Sequence, residues 1–128
     1  MPVSSTRCPC LSGLTYDECC GVLHRGDAAP ATAELLMRSR YSAFAVGDAA
    51  YLLRTWHPCT RPGALTLDDD VRWYRLDVLG RSLGGPDDTT GTVEFRAWFR
   101  SGGGAGGQHE VSRFVRDHGR WAYLDALR

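Results

Sequence analysis

A chain of 128 residues is long enough for one hydrophobic core with a small appended segment and too short for a second full domain. Its fifteen basic and fifteen acidic residues cancel, which argues against a nucleic-acid or anionic-membrane binder built on overall charge and leaves the choice of partner to local features. All the basic residues are arginine, and the absence of Lys, Ile and Asn, which have AT-rich codons, points to a GC-rich bacterial gene.

The first residues, MPVSSTR, contain no apolar leader, and no run approaches the length of a membrane span, so a cytosolic protein is expected. In that reducing compartment clustered cysteines read as metal ligands before they read as disulfides. Four of the five cysteines stand in RCPCLSGLTYDECCG, Arg7 to Gly21. Cys8 and Cys10, two apart in an extended segment, present their sulfurs to one side, and Ser12 and Gly13 supply a reversal that returns the chain to Cys19 and Cys20. Four thiolates around one ion make a closed tetrahedral zinc site with no position for a catalytic water. An iron–sulfur cluster uses the same four ligands, and two disulfides or four unrelated thiols remain as alternatives. His24 is expected to be a surface or capping residue.

This stretch resembles the SEC-C motif, in which C-x-C and C-C or C-H flank a short loop and bind zinc. Cys8, Cys10, Cys19 and Cys20 match its ligand positions, and Ser12, Gly13 and Tyr16 match as well. Leu11 stands where the motif usually has Gly. The loop reads LTYDE where motif loops at the end of the translocase ATPase SecA are rich in Lys, so recognition through a basic surface does not carry over.

Downstream, Pro30 and Thr32 signal the start of a helix and Gly47 its stop. Ala33, Leu36, Met37, Tyr41 and Phe44 form an apolar stripe, and Arg40, inside it, is expected to reach the edge or to pair with a buried carboxylate. Asp48 caps a second helix, AAYLLRTW, with Leu52 and Trp56 as neighbours four apart, and His57-Pro58 ends it. Four strands follow. VRWYRLDVLGRSL places Tyr74, Leu76 and Val78 on one face; GTVEFRAWF places Val93, Phe95, Ala97 and Phe99 on one face and Glu94, Arg96 and Trp98 on the other; QHEVSRFVR and RWAYLDAL join through DHG, a tight hairpin turn. SGGGAGG reads as a flexible loop tip and lacks the Lys-Ser/Thr and helix of a phosphate cradle. Leu36, Met37, Tyr41 and Phe44 are expected to pack on Val93, Phe95, Phe99, Phe114 and Trp121.

Helices followed by an antiparallel meander describe an α+β fold with a sheet curled over a helix. The segments CPC…SG…Y…CC, LMRSRYSAF, DAAYLLRTWHP and SRFVR…GRWAYLD together resemble the YchJ-like family of bacterial proteins over nearly the whole chain. The resemblance implies an NTF2-like cone over 28–128, preceded by a SEC-C zinc segment over 1–27. Where relatives often have Ser after WHP this chain has Cys59, and where Gly is common after YLD it has Ala126. Many relatives carry a second SEC-C motif at the C-terminus; none is read in these 128 residues, so a single metal site is expected.

In such a cone the open end often forms a pocket, and some proteins of this fold do acid–base chemistry there; fold alone does not assign it. The candidate pocket residues are Arg40, Trp56, His57, Arg61, Trp73, Glu94, Trp98, His109, Glu110 and Arg113, with Asp125 as a further carboxylate. Aromatic residues beside arginines suit a planar or anionic ligand or a partner's segment. The ordinary readings are a helix-end histidine at His57 and cross-strand ion pairs among Glu94, Arg96, Arg113 and Arg116. Cys59 near His57 reads as a packing or capping residue before it reads as a nucleophile. Structural Zn2+ is the expected cofactor. A module that binds a protein or small molecule is the leading reading, with His57, His109 and Glu110 aiding recognition; a His–carboxylate enzyme is the alternative.

Overall fold

The computed structural model describes residues 6–127. The elements run α1 (Cys20–His24), α2 (Ala33–Val46), α3 (Ala49–Arg54), β1 (Arg72–Leu83), β2 (Thr90–Ser101), β3 (Gly104–Asp117) and β4 (Arg120–Ala126). The strands form one antiparallel sheet in the order β1-β2-β3-β4, with α2 packed against it.

Local chemistry sets the helix limits. The Thr32 side chain accepts a hydrogen bond from Leu35 N, and Gly47, at φ 82°, ends α2 in the left-handed conformation. Asp48 then caps α3 by accepting from Tyr51 N. Because successive helix residues turn by about 100°, Ala33, Leu36, Met37, Arg40, Tyr41 and Phe44 share one side of α2 while Arg38, Ser39 and Ser42 lie on the other. Both sides are covered. The first side enters the main core with Leu76, Val93, Ala97, Phe114 and Trp121. The second faces the cysteine segment. A separate cluster of Leu23, Ala43, Tyr51 and Leu52 joins all three helices.

Four expectations change. Phe44 is 38% exposed at the end of its stripe, with its ring 6.2 Å from Trp73, so it edges the core and is not enclosed by it. Phe99 is half-buried on Trp73, at 5.3 Å between ring centroids, beyond the main cluster. On β1 the inward residues are Trp73, Leu76 and Val78. A register shift between Trp73 and Arg75 makes Tyr74 an extra residue, which turns it outward. Leu52 sits in the three-helix cluster, whereas Trp56 lies past the end of α3 and packs edge-on against Tyr123 at 5.2 Å.

Only Gly102 and Gly103 of the glycine run form the loop tip; residues 104–107 belong to β3. Gly104 to Gly107 pair with Ser101 to Trp98, and a Cβ at Gly106 or Gly107 would stand 3.0 Å from the Phe99 or Trp98 ring. Missing side chains there make room for two aromatics on opposite faces of the sheet. The β3–β4 hairpin closes through His118 (φ 52°) and Gly119 (φ 82°), the pair of left-handed residues that a two-residue type I′ turn demands.

Candidate metal centre and ligand cavity

The cysteine segment is a miniature hairpin. Arg7 bridges Thr15, Cys8 N donates to the Leu14 carbonyl, and Tyr16 N donates to the Thr6 carbonyl. Thr15 and Glu18 cap each other reciprocally, the Thr15 hydroxyl donating to Glu18 Oε1 at 2.8 Å, and α1 starts at Cys20. The tight loop between requires left-handed backbone at Leu11, φ 67°, and at Gly13, φ 91°. Leu11 therefore holds a conformation that favours glycine, and this explains why the resembled motif usually has Gly there.

All four sulfurs of Cys8, Cys10, Cys19 and Cys20 lie within 4.8 Å of one another. A tetrahedral ion with metal–sulfur bonds of about 2.3 Å requires sulfurs about 3.8 Å apart. Cys10 to Cys19 is 3.6 Å and Cys19 to Cys20 is 4.0 Å, so the donor set fits. These separations are far beyond a disulfide bond, and all five cysteines are free. Cys8, Cys10 and Cys20 are buried. Hydrogen bonds from Cys10 and Cys20 hold the Cys8 thiol far below the usual thiol range, while hydrogen bonds with Cys10 and then Cys8, followed by burial, drive Cys20 far above it. Cys10 is pushed up to about 11: its hydrogen bond with Cys20 lowers it, but the contact with Cys8 and burial outweigh that. A bound cation would favour the thiolate forms, with Cys8, Cys10, Cys19 and Cys20 as its ligands.

Three contacts fasten this cluster to α2. Ser42 Oγ is 3.6 Å from Cys8 Sγ, Arg38 Nη1 donates to the Cys10 carbonyl at 2.9 Å, and Cys20 Sγ lies 3.8 Å from the Arg38 carbonyl. His24, expected to be a surface or capping residue, is buried, because the return of α1 against α2 encloses its ring. Its Nε2 lies 2.8 Å from the Ser39 carbonyl and its Nδ1 lies 2.5 Å from the Tyr16 hydroxyl, so Nε2–H donates and Nδ1 accepts. Burial lowers its pKa from the ordinary value.

On the other side of α2 lies a cavity of about 220 Å³. Its apolar wall is Met37, Trp73, Phe95, Ala97 and Phe114; its polar wall is Arg40, Gln108, Glu110, Ser112 and Tyr123. Arg40 is 6% exposed and has no carboxylate within ion-pair distance among the described residues, so the expected buried pairing is absent. Its Nη1 donates to the Leu52 carbonyl and to Thr55 Oγ1, both at 2.8 Å, and its guanidinium lies 4.6 Å from the Tyr123 ring and 5.2 Å from the Trp56 ring. Burial pulls its pKa down to about 10, which leaves it cationic at neutral pH. Glu110 Oε2 accepts from Ser112 Oγ at 2.5 Å and from the Tyr123 hydroxyl at 3.1 Å. Burial, then the charge of Glu110, raises the Tyr123 pKa and keeps that hydroxyl a donor.

Of the ten residues singled out from sequence, Arg40, Trp73 and Glu110 line this cavity, and Trp56 stands behind Arg40. The other six lie elsewhere. Glu94 and His109 are hydrogen-bonded, Oε2 to Nε2 at 2.6 Å, on the outer face of the sheet. Arg113 pairs there with Asp125, and the indole of Trp98 donates to Asp77. His57 N donates to the Tyr123 carbonyl, its Nδ1 accepts from the Cys59 amide, and Arg61 holds the Trp56 carbonyl. His109 and Glu110 cannot serve one pocket, because neighbouring residues on a strand point to opposite faces. Sequence reasoning missed Gln108, Ser112 and Tyr123. The signal for the first two was present: positions 108, 110, 112 and 114 alternate inward along β3, and three of them are polar.

Two family matches cover most of the chain: the YchJ middle NTF2-like domain over residues 32–126 and the SEC-C motif over residues 5–21. The chain belongs to the YchJ-like family. A UPF0225 protein of Streptomyces coelicolor is 54% identical over 92% of each chain, and one of Corynebacterium glutamicum is 53% identical over 91% of this chain and 93% of its own. The solution structure of a SEC-C motif containing protein from Rhodopseudomonas palustris superposes with a TM-score of 0.79 at 39% identity, covering 93% of this chain and 95% of that one. The crystal structure of another from Psychrobacter arcticus gives 0.81 at 29% identity, covering 98% and 84%. The YchJ-like chain is thus an NTF2-like α+β domain preceded by a SEC-C segment, whose four clustered cysteines are compatible with metal binding. No helix among its described residues is long and apolar enough to cross a membrane.

Proposed function

We propose that this protein is a cytosolic, zinc-stapled binding module that takes a small molecule in the cavity between α2 and the sheet. The observation that carries this reading is Arg40: a buried cation, unmatched by a carboxylate, on the wall of an apolar cavity. The metal has a structural role. Four thiolates complete a tetrahedral shell, which suits zinc and leaves no place for a bound water or substrate. Cys8, Cys10, Cys19 and Cys20 would hold the ion, and its charge would fix their hairpin against α2. Binding is favoured over turnover because no histidine lines the cavity and the carboxylate there already accepts two hydrogen bonds.

Elemental analysis of protein purified without added zinc, together with a thermal-shift screen of small metabolites, tests both halves. One zinc per chain and a saturable rise in melting temperature are expected. Oxidised cysteine pairs without metal would remove the first half. Conversion of a compound, lost in Glu110→Gln, would replace binding with catalysis.

A further inference from the structure

We propose that the cavity selects a compact zwitterion: a molecule with one carboxylate, one ammonium group and an apolar side chain, of the size and kind of an aromatic or branched amino acid. The inference rests on the small-molecule reading above and assigns the ligand's charges to named residues.

Size comes first. At about 30 Å³ per water, 220 Å³ corresponds to about seven waters, below the 300–1,000 Å³ typical of drug-sized ligands. The charges decide the class. Arg40 and Glu110 line the same cavity without forming an ion pair, and Tyr123 separates them: Arg40 lies over its ring face and Glu110 accepts from its hydroxyl. With the tyrosines neutral, the cavity carries one positive and one negative charge at separate points, so its net charge is zero. A dianion such as phosphate is opposed by Glu110, and a simple amine is opposed by Arg40. A dipolar ligand answers both.

Hydrogen-bonding capacity agrees. Arg40 commits only Nη1 to protein acceptors, which leaves Nε and Nη2 as donors for a carboxylate. Glu110 uses Oε2 for Ser112 and Tyr123, while Oε1 has a long 3.4 Å contact from Gln108 and retains capacity for an ammonium. Trp73, Phe95 and Phe114 provide the apolar wall for a side chain.

Calorimetric titration of the full-length, metal-replete protein at neutral pH tests this with five probes: L-phenylalanine, 3-phenylpropanoate, phenethylamine, indole and inorganic phosphate. L-phenylalanine should bind at least tenfold tighter than either singly charged analogue, and phosphate should not bind. Glu110→Gln should reduce L-phenylalanine binding to the level of 3-phenylpropanoate and leave 3-phenylpropanoate itself unweakened. Arg40→Met should abolish the binding of 3-phenylpropanoate; if that variant does not fold, Glu110→Gln decides alone. Equal binding of indole and L-phenylalanine, insensitive to Glu110→Gln, overturns the zwitterion assignment while the small-molecule reading stands. Phosphate binding tighter than that of L-phenylalanine overturns it as well. No saturable binding by any probe, indole included, overturns both.

Discussion

His24 Nε2 lies 2.8 Å from the Ser39 carbonyl oxygen, and this single hydrogen bond joins the end of α1 to the middle of α2. The same ring accepts from Tyr16 and lies 4.5 Å from the Tyr51 ring. His24→Ala should cost about 1–3 kcal/mol, since it leaves the Tyr16 hydroxyl and the Ser39 carbonyl short of a partner. The pH dependence has a defined sign. Burial depresses the folded-state pKa of His24, so the unfolded chain takes up the proton first. The stabilisation is complete above the ordinary value of 6.5 and declines as pH falls through 6.5 toward the lower folded value. Denaturant melts of wild type and His24→Gln between pH 7.5 and about 5 should show a steeper loss in wild type; parallel curves would contradict the buried neutral ring.

The metal prediction is stoichiometric. One ion per chain should fall to none in Cys19→Ser, and the hairpin should become protease-sensitive, because a segment with so few apolar residues does not order itself without its ion. Cys59→Ser should retain the metal, since Cys59 is exposed and outside the cluster.

Core substitutions should separate by enclosure. Leu36, with no exposed surface, should cost about 2–5 kcal/mol as Leu36→Ala. Phe44→Ala, at a site 38% exposed, should cost about 1 kcal/mol. Equal losses by chemical denaturation would show that Phe44 is more enclosed in solution.

Leu11→Gly should stabilise the protein by up to about 1 kcal/mol. The left-handed backbone costs leucine about 1–2 kcal/mol, of which glycine's greater unfolded-state freedom takes back part. The side chain is 56% exposed, so little packing is lost. A lower melting temperature in the variant would mean that Leu11 makes contacts in solution that outweigh its strain.

Local chemistry was legible from sequence and long-range geometry was not. Thr32, Gly47 and Asp48 act on residues three or four positions away, and the four cysteines converge through one short reversal, so spacing sufficed for both. Tyr74 failed because one extra residue in β1 shifts the side-chain alternation, and nothing in VRWYRL announces the bulge. His24 failed because its burial depends on Ser39 and Tyr51, which tertiary packing brings to it. At the cavity, Arg40 stood out as a charge inside an apolar stripe. Its relation to Glu110 did not, since it runs through Tyr123 on a third element.

α2 has a consequence for how the molecule deforms. It is a partition between two rooms, with Ser42 and Arg38 fastened to the cysteine hairpin, Ser39 to His24 of α1, and Met37, Arg40 and Tyr41 forming part of the cavity wall. A partition nailed on one side cannot roll to widen the other. Rotation by one residue, about 100°, would exchange Arg40 for a neighbour on the cavity wall and at the same stroke pull Ser42 from Cys8. The guanidinium therefore owes its fixed bearing to sulfurs it never touches, and slack in their hairpin would be felt first as wander in the one charge on that wall borne by a helix.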